Sequence, residues 1–130
     1  MEGSFLFKDL TKIVIREAFY VFNELKYGYS EKVYQKALQK RLTLTGINFQ
    51  RELKMDYYFE GEVLGYNRVD FLVEDQVIVE LKVGRFIRQE HITQVLNYLQ
   101  CSHYQIGLII LFSPKGIELK RLINTKERRN

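Results

Sequence analysis

Near the middle of the chain, Val77-Ile78-Val79-Glu80-Leu81-Lys82-Val83 reads as a strand buried on both faces, yet Glu80 and Lys82 interrupt it. Residues two apart in a strand project to the same face. A buried carboxylate or ammonium is costly unless it is paired or bound to a metal. Two readings are open: the face is solvated or its charges pair with neighbours, or the charges are there to do chemistry. Asp70, set between Val69 and Phe71-Leu72-Val73, is a second anomaly, because aspartate is disfavoured in strands. If Glu74-Asp75 is a two-residue hairpin loop, Asp70 faces Val79, and a one-residue slip brings it level with Glu80. Carboxylates that close repel unless a cation or a proton lies between them. Hard oxygen ligands beside a lysine suit Mg²⁺, whose remaining positions take water and phosphate. Lys82 is then placed to orient or deprotonate an attacking water, or to neutralise phosphate charge.

Two helical segments add candidates. Glu31, Tyr34 and Leu38 share one helical face. An acidic residue in a first turn is already favoured by the helix dipole, and the functional alternative turns Glu31 toward the metal as a further carboxylate. In Gln89 to Gln100, His91, Gln94 and Tyr98 form a polar stripe beside the apolar stripe Ile92, Val95, Leu96 and Leu99. That flank is either ordinary boundary polarity or the wall of a cleft. One histidine without a second histidine or cysteine at ligand spacing does not make a zinc site. His103 and Cys101 read as loop and packing residues.

The elements that must position these residues follow from period and punctuation. Leu10, Val14, Ala18, Val21 and Leu25 predict a helix over Asp9 to Leu25, with Asp9 as N-cap and Gly28 just past its end. Ser30 caps a second helix to about Leu44, stopped by Gly46. Asn48 to Phe59, Val63 to Val73 and Gln76 to Val83 read as strands with tight turns at Glu60-Gly61-Glu62 and Glu74-Asp75. The third helix follows, then a central strand Ile106 to Phe112, a turn at Ser113-Pro114-Lys115-Gly116, and an edge strand Ile117 to Ile123. The tail Lys126 to Asn130 is basic and expected to fray. The order ααβββαββ, with a helix between two buried strands, predicts an α/β fold with some parallel pairing in a mixed sheet of about five strands.

Composition sets the frame. The 130 residues suit a single domain, 1–130, with 46% hydrophobic and 28% charged residues, unlike disordered or fibrous chains. The longest apolar run, Ile106 to Phe112, is far short of the ~20 residues of a membrane span, and no signal-peptide layout appears. The single cysteine excludes an internal disulfide and fits a reducing, cytoplasmic setting. A net charge of +4 permits a polyanionic partner without requiring one.

Asp70, nine intervening residues, then Glu80-Leu81-Lys82 resembles the D-x(n)-E-x-K signature of the PD-(D/E)XK nuclease superfamily. Gly28-Tyr29-Ser30-Glu31-Lys32-Val33-Tyr34 matches the G-x-x-E-x-x-Y motif of a small family within it, and Gln94 to Tyr98 resembles the Q-x-x-x-Y helix of its RecB-like branch. The likeness runs from Gly28 to Ile123, with Val69 where the signature's proline stands. It implies a restriction-endonuclease-like three-layer core and Mg²⁺-dependent phosphodiester cleavage, with Mn²⁺ as a substitute. Asp70, Glu80 and Glu31 would bind metal, Lys82 would be the catalytic lysine, and Gln94, Tyr98, Tyr34 and His91 would support them. The implied substrate is nucleic acid, DNA in the first instance. The alternative is a non-catalytic module on the same fold that binds nucleic acid or a protein partner. A junction resolvase is a further variant, because so small a domain needs a homodimer to cut two strands. Specificity is then expected from the core's own loops, a dimer mate or a partner protein.

Overall fold

The computed structural model describes residues 2–124, with side chains from residue 9 onward. The predicted basic tail from Lys126 lies outside that range. The elements are α1 (Glu2–Leu25), α2 (Glu31–Thr45), β1 (Phe49–Phe59), β2 (Glu62–Val73), β3 (Val77–Val83), α3 (Gln89–Gln100), β4 (Ile106–Ser113) and β5 (Gly116–Ile123). This is the predicted order, and the five strands lie side by side in sequence order in one sheet. Among the described strands only β3 and β4 are parallel, with α3 as their crossover. Among the described residues, no helix is long and apolar enough to cross a membrane.

Three layers result from which faces are apolar. The α1 stripe Leu10, Val14, Ala18 and Val21 and the α2 residues Tyr34, Leu38 and Leu42 pack on Phe71, Val79, Leu81, Ile110 and Phe112. On the other face, Val95, Tyr98 and Leu99 of α3 meet Leu72, Ile78 and Ile109. Both faces of β3 and β4 are therefore covered, which is why these strands read as nearly continuous apolar runs. Gly107 lets α3 approach β4, since a Cβ there would lie 2.5 Å from Val95 Cγ1.

Several local expectations are corrected. Helix α1 begins at Glu2, so exposed Asp9 lies inside it and is no N-cap; an aspartate within a helix costs less than ~1 kcal/mol, too little to end it. The residue past its end is Lys26 (φ 63), not Gly28, because the hydroxyl of Tyr34 donates to the Lys26 carbonyl at 2.6 Å and ties the chain there. The turn after β2 uses three residues, Glu74 to Gln76, with Val73 paired to Val77. Cys101 closes α3 as an exposed residue rather than a packed one. Ser30 does cap α2, its hydroxyl accepting from the Val33 N–H at 3.4 Å, and Gly46 ends it in a left-handed conformation.

Candidate active site in the wedge between β2 and β3

The three-residue turn decides the register that the sequence left open. Phe71 pairs with Val79, so the next position along puts Asp70 level with Glu80. The backbone ladder between β2 and β3 stops there, and the strands part. Side chains take over the pairing: the Asp70 N–H donates to Glu80 Oε2 at 2.6 Å, and the Leu81 N–H donates to Asp70 Oδ2 at 2.8 Å. Each carboxylate thus satisfies a backbone donor that the parting strands would have stranded.

On the far side of β2, β1 distorts at the same level. The register passes from Arg51–Phe71 to Leu53–Val69 without pairing Glu52 and Asp70, and Glu52 has φ 53. Arg51 spans this irregularity. Its Nε donates to the Asp70 carbonyl at 3.3 Å, its Nη atoms reach Gln39 at 2.6 Å and Gln35 at 3.1 Å, and its guanidinium lies over the Phe71 ring. Helix α2 is thereby tied to the backbone of Asp70.

The electrostatics follow from burial. Glu80 is 3% exposed, and burial first, then the charge of Asp70, pushes its carboxyl up to about 8. Asp70 is raised too, mainly by burial, against the lowering effects of the Leu81 N–H and of Lys82. Without a cation the pair therefore retains a proton near neutral pH. Lys82 Nζ donates to Gln94 Oε1 at 3.3 Å, so β3 and α3 jointly aim the ammonium.

The remaining predicted residues fall into two groups. Glu31, in the first turn of α2, accepts from the Val83 N–H at 3.4 Å; its charge raises both Asp70 and Glu80, but it touches neither. Gln94 contacts Lys82. Tyr98 is fully buried, donates to the Arg68 carbonyl at 3.4 Å, and has its hydroxyl driven upward by burial and then by Glu80. Tyr34 belongs to the core beneath α2, stacked on Phe112 at 4.3 Å, and reaches no carboxylate. His91 accepts from the Arg88 N–H through Nδ1 at 3.2 Å and so caps α3; burial and then Lys82 lower its pKa. It shares with Lys82, Gln94, Tyr57 and Asn67 an open cavity of about 750 Å³.

Arg51, Tyr57 and Asn67 carried no sequence signal. A lone arginine, tyrosine or asparagine in an alternating strand has nothing to separate it from a solvated face.

The donors suit a hard cation. Oδ1 of Asp70 and Oε1 of Glu80 make no hydrogen bond within the described residues, and burial pushes both carboxyls upward, an effect that a cation between them would oppose. Among the described residues, no three His, Cys, Asp or Glu side chains gather tightly enough to cage an ion. Magnesium fits such a site, because it binds through one or two carboxylates and keeps several waters.

Two solved structures share this architecture. The crystal structure of SSO0001 matches at 18% identity and a TM-score of 0.52, over 88% of this chain and 65% of that one. An alkaline exonuclease from Laribacter hongkongensis matches at 14% identity and a TM-score of 0.51, over 86% of this chain and 78% of that one. The chain thus spans about two thirds of the first. At these identities the likeness establishes the restriction-endonuclease-like fold. No curated protein matches in sequence. The family model described as PD-(D/E)XK nuclease superfamily matches residues 8–122, which takes in α2, the Asp70–Glu80 wedge, Lys82 and α3. The chain belongs to the PD-(D/E)XK nuclease superfamily.

Proposed function

We propose that this protein is a metal-dependent nuclease that hydrolyses phosphodiester bonds of DNA at the wedge between β2 and β3. The observation that carries the reading is the reciprocal Asp70–Glu80 arrangement with Lys82 two residues along β3. Asp70 and Glu80 would hold Mg²⁺, or Mn²⁺ in its place, through the oxygens left over from their backbone bonds, with Glu31 acting on them through its charge. Bound there, the ion would supply a water of lowered pKa and offset charge on the phosphate. Lys82, whose ammonium donates to Gln94, would orient that water or meet the phosphate oxygen. Asp70 and Glu80 would hold the cation as carboxylates, so loading the site would be expected to release the proton the pair shares.

The Glu31 and Tyr34 motif supports membership of the G-x-x-E-x-x-Y family within the superfamily. The chain would act as a single domain in a reducing cytoplasm, and as a homodimer if its substrate requires two cuts. The test is incubation of the purified chain with single-stranded, double-stranded and branched DNA and with RNA, in Mg²⁺ or Mn²⁺. Asp70→Ala and Lys82→Ala should each lower cleavage by ~100-fold or more. If nothing is cut, or if the variants cut like the parent, the proposal fails. Salt-dependent binding with no cleavage would point instead to a non-catalytic binding module.

A further inference from the structure

Exposed aromatic residues stand on β2 and on the loop after β3, each with at least one cation over its ring. On β2, Tyr66 is 54% exposed, with Lys54 Nζ 4.7 Å and Arg68 Cζ 5.6 Å from its ring. Four residues further along the same strand comes Asp70, a span of about 13 Å. On the loop after β3, Phe86 is 59% exposed, with Arg88 Cζ 5.9 Å from its ring, four residues past Lys82. In sheet order one platform lies toward β1, and the other leads from β3 into α3.

We propose that the substrate is single-stranded, with bases stacked on Tyr66 and Phe86 on either side of the scissile phosphate. The inference rests on the nuclease reading for the identity of its ligand. Exposed rings interleaved with cations suit unpaired bases, whose faces are open and whose phosphates follow the cations. A duplex keeps its bases stacked on one another and would leave both rings idle. Charge also sets the path. The hairpin tip bears Glu60 and Glu62 beside exposed Phe59, and these acids repel phosphate. The strand therefore crosses the root of the hairpin, where Lys54 and Arg68 stand, although Asp56 lies 3.6 Å from Lys54 and offsets part of its charge.

The test measures binding in the presence of a chelator, so that it does not depend on cleavage. A labelled single-stranded oligodeoxynucleotide and the same sequence as a duplex are titrated with the full chain and followed by fluorescence anisotropy. The parent should hold the single strand more tightly. Tyr66→Ala and Phe86→Ala should each weaken single-strand binding about five-fold or more, and Tyr66→Phe should restore it. Both rings are exposed, so the variants should keep the parent's circular dichroism. Equal or tighter duplex binding, or alanine variants that bind like the parent, overturns the proposal. So does a parent dimer that the alanine variants dissociate with single-strand affinity unchanged, since the rings would then be a subunit contact. Single-strand preference that depends on Tyr66, in a chain that cuts nothing with Mg²⁺ or Mn²⁺, supports this inference and sinks the nuclease reading alone.

Discussion

Replacing Glu80 by glutamine should stabilise the metal-free protein at neutral and alkaline pH. Glutamine keeps the volume of the side chain and an oxygen for the Asp70 N–H, and it mimics the protonated carboxyl. The folded carboxyl sits at about 8 against an ordinary 4.5. The folded state therefore binds more protons than the unfolded state throughout that window, and stability falls as pH rises through it. The stabilising contribution is fully present below about pH 4.5 and is lost by the time the pH passes about 8. A rise of that size borne by one group corresponds to about 5 kcal/mol. Asp70 shares the proton, so about 2 kcal/mol or more should appear as the difference between parent and variant at pH 8. His91 works with the opposite sign, because its lowered pKa adds stability as pH rises, but it is common to both proteins and drops out of the difference. Thermal or urea unfolding of both proteins in chelator, from pH 4.5 to pH 8, gives the answer. Millimolar Mg²⁺ should then raise the parent's stability at pH 8 and do little for the variant. A variant no more stable than the parent at pH 8, or one with the same pH slope, would refute the buried shared proton.

Two further changes separate support from chemistry. Tyr34→Phe removes the 2.6 Å hydrogen bond to the Lys26 carbonyl and should cost about 1–2 kcal/mol in urea unfolding; a larger loss of cleavage than of stability would show that Tyr34 does more than hold the loop before Glu31. Gly107→Ala places a methyl 2.5 Å from Val95 Cγ1 and should cost about 1–3 kcal/mol as α3 is pushed off β4, with cleavage falling because Gln94 no longer holds Lys82 in place; an unchanged melting temperature would contradict the close packing described.

Legibility varied with the kind of signal. Strand and helix order followed from period and punctuation, and the buried character of β3 and β4 from unbroken apolar runs, because burial on both faces leaves no polar alternation. The helical starts were less readable. Asp9 looks like a cap, yet helix continues through it. Tyr98 looked like a cleft residue because it is polar at one end; its ring is core, and only its hydroxyl reaches toward the site. His91, read as a supporting residue of the site, both caps the helix that carries Gln94 and lines the cavity beside Lys82.

By itself the sequence determined the chemistry available: two carboxylates and a lysine set into strands with no reason to carry charge, and helices to cover the sheet. Their residue types and spacing follow from local rules, since the faces of strands and helices are periodic. What only the tertiary structure decided is which groups meet. One extra turn residue moved the register by one and brought Asp70 beside Glu80, where each takes the other strand's backbone donor. Arg51, 12 and 16 residues from Gln39 and Gln35 of α2 and 19 from Asp70, fastens them together. Such contacts depend on turn length, strand parting and long-range packing, and no periodicity in the chain encodes them.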